Sequence, residues 1–303
     1  MVGEPRIKIT DLLQWYTDIP PKHRSDIEAG AIISIGVIRH YLGPNWLNSK
    51  VLPKRSTSRF MAIDDNIKDV GERQIQYYKL IDLAESLYNL QYVDNFDECV
   101  ARLKTGDPES YIAELNLGML LYINKHTFKF MERQQKKKCD YDVEVKIGSW
   151  TVCIEAKCKI ESTKPSETSV LSALSYGRRQ LPKDNPGILF VKIPPSWTKK
   201  FLLDQWLQEI SLKYLRFGTE KIVAIIYYVA PYAYNDKTLI QAHEIRQIFN
   251  PNNRFDRTIR WNLLNRHSPP IDSSNAMPRH WLRLANFPKG LKAYDDPRIG
   301  MIS

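Results

Sequence analysis

The sequence predicts an α/β protein with a helical region on its N-terminal side, on three observations. Apolar residues recur at helical spacing through most of the first hundred positions. Near the middle, two strand-like stretches flank a Gly148-Ser149 turn, and acids alternate along the first of them. Positions 188–193 (ILFVKI) then form a nearly continuous apolar run, typical of a strand buried on both faces.

Each element follows from its residues. Thr10 or Asp11 starts an amphipathic helix through Leu12, Leu13, Trp15 and Tyr16. Ser25-Asp26 opens an apolar stretch that ends at Gly43-Pro44. Positions 48–60 are polar and basic, as an exposed connection would be. Helical periodicity returns over 74–90. Gly106-Asp107-Pro108 punctuates, and a helix is expected over about 108–125. Strands follow at 127–132, 140–146 and 151–157, a helix at 166–181, the strand at 188–193, a helix near 198–215 and a strand at 222–229. From about Asn250 onward the chain is rich in Pro, Asn, Arg and Trp with little periodicity. The expected division is a helical region over 1–104, a core over 105–235, and an extension over 236–303 of mostly loops and short helices.

Composition narrows the function. Of 303 residues, 43% are hydrophobic and 26% charged, as in ordinary globular proteins, and the formal net charge of +10 favours a polyanionic partner such as nucleic acid. The N-terminal stretch lacks an apolar core, so no signal peptide is expected. The apolar stretch at 29–38 is far too short to cross a bilayer. A reducing cytoplasm is the expected setting, with Cys99, Cys139, Cys153 and Cys158 as free thiols. Their spacing lacks the paired ligands of common zinc sites. The six histidines lack metalloprotease spacing, and there is no Walker loop or Gly-x-Ser-x-Gly elbow.

The chemistry concentrates on the central hairpin. Glu155 and Lys157 share one strand face, and Asp140, Asp142 and Glu144 share one face of the partner strand. If the register joins those faces, two carboxylates and an ammonium converge. Carboxylates hold hard divalent cations, and a lysine beside them orients a water, which suits metal-assisted phosphodiester hydrolysis. On the 108–125 helix, Glu114 falls within an apolar arc. A carboxylate there needs a partner or a metal, unless it snorkels or pairs with a nearby cation. Lys136, Lys137 and Lys138 with Arg133 precede the Asp strand, and Arg178, Arg179 and Gln180 close the helix after it. The basic residues are candidate nucleic-acid contacts, as is Lys159, two residues beyond Lys157; solvated charge is the plain alternative, and for Gln180 a place on the helix surface.

Asp142, a step of 155 − 142 = 13 positions, and then Glu155-Ala156-Lys157 resembles the signature of the PD-(D/E)XK nuclease superfamily. The resemblance covers about 105–195. The usual proline before the first acid is replaced by Tyr141, and Asp140 is a less favoured first acid because it begins the strand. The resemblance implies a restriction-endonuclease-like αβββαβ core, a mixed sheet flanked by helices. It implies Mg²⁺ or Mn²⁺ held by Asp142, Glu155 and the Ala156 carbonyl, with Glu114 orienting a water or completing a second site. Lys157 would position the attacking water, and Gln180, as in some relatives of the fold, would lie near the metal-bound water or the substrate. The expected activity is nucleic-acid hydrolysis, with DNA the expected substrate. The alternative is a non-catalytic nucleic-acid-binding or scaffolding protein on a degenerate nuclease fold. Homodimerisation, and a protein partner for the N-terminal region, stay open.

Overall fold

The computed structural model describes residues 5–24, 26–51, 70–133, 140–199, 203–216, 218–235, 238–255, 281–285 and 287–288. Helices α1 (Ile9–Asp18), α2 (Asp26–Leu42), α3 (Val70–Leu90), α4 (Phe96–Thr105) and α5 (Pro108–Ile123) come first. Strands β1 (Phe128–Phe130), β2 (Val143–Ile147) and β3 (Trp150–Cys158) follow, then α6 (Glu167–Gln180), β4 (Gly187–Lys192), α7 (Leu203–Tyr214) and β5 (Ile222–Val229). The last strands are β6 (Tyr232–Asn235), β7 (Thr238–Gln241) and β8 (Glu244–Phe249). From α5 to β4 the order is α-β-β-β-α-β, as expected.

One mixed sheet has the order β1-β2-β3-β4-β5-β8. Strands β3, β4 and β5 run parallel, while β1, β2 and β8 are antiparallel to their neighbours. Parallel neighbours need a crossover, and α6 and α7 supply the two. The turn between β2 and β3 uses Gly148 at φ 58°, a conformation that tight two-residue hairpins require and glycine adopts without strain.

Side-chain alternation divides the apolar residues between two layers. Val152, Ile154, Ile188 and Phe190 join α1–α5 in one core, while Leu189, Val191, Ile222 and Ile225 join α6 and α7 in the other. The N-terminal helices therefore share a continuous core with the sheet. The sheet also continues past the boundary expected at 235, because β8 pairs along β5 through Ile225↔Ile248 and its neighbours. Residues 281–285, placed in the loop-rich extension by sequence, lie against α3. Asn89 accepts from the Leu282 N–H (2.8 Å) and donates to the Leu282 carbonyl (3.0 Å), and Glu85 accepts from the Leu284 N–H (2.7 Å). Two side chains one helical turn apart thus act as a short stretch of ladder. Gly30 on α2 permits this docking, since a Cβ there would stand 2.5 Å from the Leu284 carbonyl oxygen.

Candidate active site

Register brings the acids together. Val143 pairs with Ile154 and Glu144 with Cys153, so one further step sets Asp142 opposite Glu155. At that step β2 leaves β3. The Asp142 N–H still donates to the Ile154 carbonyl (3.1 Å), but the Ala156 N–H donates to the Asp142 side chain instead of to a strand (Oδ2, 2.8 Å). In an extended strand the N–H and C=O of one residue point the same way, so the Ala156 carbonyl faces this open fork too.

The fork joins the two faces of the sheet. Glu155 and Lys157 lie on the α6 face, where Gly177 approaches both. Glu114 lies on α5, on the other face, and Asp142 stands between. A cavity of about 200 Å³ opens here, lined by Glu114, Asp142, Ala156 and Lys157 with Tyr111 and Arg133 at its rim. Asp142 lines it; Asp140 and Glu155 do not, Glu155 lying buried behind Ala156 and Lys157. Exposure is 1% for Glu155, 3% for Glu114 and 7% for Asp142.

Three carboxylates in so little water must be compensated. Glu155 is bonded through Oε1 to the Lys157 ammonium, and its other oxygen is buried without a hydrogen-bond partner. Burial first, then the charge of Asp142, raises the Glu155 carboxyl well above the usual range; Lys157 pulls it back. Glu114 receives the Arg102 guanidinium at 2.6 Å, and Arg102 also donates to the Met131 carbonyl at 2.9 Å. Burial and then Asp142 push Glu114 up to about 8.

Arg102 is the residue that the sequence reading missed. The apolar positions of α4, namely Phe96, Cys99, Val100 and Leu103, face the core, and Arg102 sits at the edge of that stripe. An arginine there, twelve positions before an acid on an apolar helix, is the signal that was available.

The proposed nucleic-acid contacts divide. Lys136, Lys137 and Lys138 lie outside the described residues. Arg133 is at the cavity rim, with its guanidinium over the Tyr111 ring. Arg179 is exposed on α6. Arg178 donates to the Gly218 carbonyl and stacks on Tyr214, which ties it toward α7. Gln180 has a buried, unpartnered Oε1 and does not line the cavity. Lys159 lines a separate cavity with Lys79 and Lys192, and burial lowers its pKa.

The donor set suits a hard divalent cation. Two adjacent carboxylates, a strand carbonyl at an open fork and an orphaned carboxylate oxygen on Glu155 are oxygen ligands in search of positive charge. As they stand, the described residues contain no cluster of three His, Cys, Asp or Glu side chains able to hold a metal ion. Lys157 is paired with Glu155, and Arg102 with Glu114. Among the described residues no helix is long and apolar enough to cross a membrane. No protein-family model matches the chain, and no curated protein matches it.

Proposed function

We propose that the chain is a divalent-metal-dependent nuclease on a restriction-endonuclease-like core, hydrolysing DNA phosphodiesters. The observation that carries this reading is the register: it seats Asp142 opposite Glu155 at a strand fork, with Lys157 on the same face as Glu155. Asp142, Glu155 and the Ala156 carbonyl would hold Mg²⁺ or Mn²⁺, with Glu114 beside them. When bound, the ion supplies charge neutralisation at the phosphoryl oxygens and a lowered pKa for water. Lys157 then orients the attacking water and stabilises negative charge that develops on the phosphoryl group. Arg133 and Arg179 flank the site as phosphate contacts.

One observation favours a second reading. Glu155 and Glu114 are already paired with cations of their own chain, as in a degenerate site that binds nucleic acid without cutting it. Metal affinity separates the two: an ion that binds the folded state raises Tm, by about 2.7 kcal/mol of added stability at a hundredfold excess over Kd.

The test is a cleavage panel of supercoiled plasmid, linear duplex, single strand, branched DNA and RNA, in EDTA, Mg²⁺ or Mn²⁺. Wild type is compared with Glu155→Ala and Lys157→Ala. Metal-dependent cutting that both variants lose is the expected result. Full activity in Lys157→Ala refutes the mechanism, and absence of both cutting and a Mn²⁺-induced rise in Tm favours the binding protein.

A further inference from the structure

Helix α6 lies unusually close to the site. Its buried stripe is Val170, Ala173, Leu174 and Gly177. A Cβ at Gly177 would stand 3.4 Å from the Glu155 Cγ and 3.7 Å from the Lys157 Cγ. With no side chain there, the helix rests directly on these two residues. The preceding residue, Tyr176, stands against Lys157 at the edge of the site without lining the cavity. Tyr176 is 58% exposed, and the Lys157 Nζ lies 5.2 Å from its ring centroid. The guanidinium carbon of Arg179, also exposed, lies 5.5 Å from the same ring. Both distances fall within the ~6 Å reach of a cation–π contact.

A lone exposed aromatic is ordinary on a protein surface. This one shares its cations with the site: the lysine expected to orient water and an arginine free of the sheet both converge on it. We infer that Tyr176 is a stacking platform for an unpaired base beside the scissile phosphate, so that the substrate is DNA with single-stranded character at the point of cleavage. The inference rests on the nuclease reading. Bases inside a duplex have both faces covered by neighbours, and a ring fixed on a helix surface meets a base face only where the base is unpaired or flipped out. Aromatic rings within a basic surface are the sequence-tolerant means of holding such strands. A base seated on Tyr176 would lay its flanking phosphates near Arg179 and Lys157, where the cations already are. Rigidly paired duplex would meet the same cations without the ring.

The decisive experiment measures binding without cleavage. A DNA single strand carrying 2-aminopurine, and the same strand annealed to its complement, are titrated in EDTA against wild type, Tyr176→Ala and Tyr176→Phe. Wild type should quench the single strand. Tyr176→Ala should bind the single strand about 5- to 150-fold more weakly while its duplex affinity stays the same, and Tyr176→Phe should retain both quenching and affinity. A ring that merely steadies Lys157 would not move the ratio of single-strand to duplex affinity. Tyr176→Ala that binds the single strand like wild type, or weakens both forms equally, overturns the inference. Cleavage and the Mn²⁺-induced change in Tm are scored separately: a wild type that shows neither overturns the nuclease reading, and the EDTA titration still decides the stacking.

Discussion

Replacing Arg102 with methionine keeps most of the side chain's length and removes the cation that Glu114 holds. Both ends of this pair are buried, with side-chain exposures of 11% and 4%. Removing one partner of a buried pair costs about 3–5 kcal/mol, because the other charge is stranded. Unfolding entropy near 60 °C is about 2.1 cal/mol/K per residue, or about 0.6 kcal/mol/K for a chain of this size, so the loss lowers Tm by about 5–8 °C. The sign with pH follows from the carboxyl. Folding raises Glu114 from 4.5 to about 8, by burial first and Asp142 second. Such a group's contribution to stability is full below the unfolded value and is lost as pH rises through the folded one. Without Arg102 the folded value climbs further; near pH 6 Glu114 keeps its proton with or without Arg102, so the deficit is smaller there. At pH 9 wild type carries a paired carboxylate while the variant must strand that charge or hold its proton, so the deficit is larger there, by up to about 1.4 kcal/mol for the one pH unit above 8. Thermal unfolding followed by circular dichroism at pH 6 and pH 9 measures both. Arg102→Met with Glu114→Met removes the stranded charge and should recover most of the loss. Equal deficits at the two pH values, or a wild-type Tm for Arg102→Met at pH 9, would refute the reasoning.

Other outcomes follow from the same geometry. Because folding holds protons on Glu155 and Glu114, Mn²⁺ binding should release protons and tighten as pH rises from 6 to 8; calorimetry in buffers of different ionisation enthalpy reads this directly, and buffer-independent heats would contradict it. Gly177→Ala gains about 1 kcal/mol of helix propensity but sets a methyl 2.9 Å from the buried Leu189 Cδ2; overpacking of about 1–3 kcal/mol should leave the variant no more stable than wild type in urea. A more stable variant would mean that Leu189 gives way. His243 is buried, bonded through Nδ1 to the Tyr228 hydroxyl (2.7 Å), and burial lowers its pKa to about 3. Its contribution is therefore present above 6.5 and lost as pH falls toward 3. His243→Gln should flatten the acid limb of the stability curve across that window, and an unchanged limb would count against the assignment.

The local elements were legible because local chemistry dictates them. Ser166 accepts from the Ser169 N–H (3.2 Å) as the cap of α6, and Gly148 turns the central hairpin. The pairing of Asp142 with Glu155 was conditional on register, and register was readable because alternation sends Val143 and Val145 to the core and the acids away from it. Glu114 stood out as a charge on an apolar helix; its partner did not, since nothing local ties α4 to α5 except the fold that brings them together. The same limit hid β8. In Glu244–Phe249 apolar and polar residues mix as they do in many loops, and only the exposed edge of β5 makes a strand of them. Residues 281–285 were opaque for the same reason, because their backbone partners are side chains of α3.

That last contact has a bearing on how the protein is made. The helix carrying Glu85 and Asn89 leaves the ribosome about two hundred residues before the segment it clasps, the Asn89–Leu282 bond spanning 193 positions. At about 5–20 residues per second, that interval is on the order of ten seconds or more. Throughout it, Glu85 and the apolar surface beneath Trp281 and Leu284 lack the cover that residues 281–285 supply in the folded protein. The nascent protein therefore passes through a stage in which the central hairpin has been synthesised while Glu85 and Asn89 still await the backbone groups of 281–285 that they later hold.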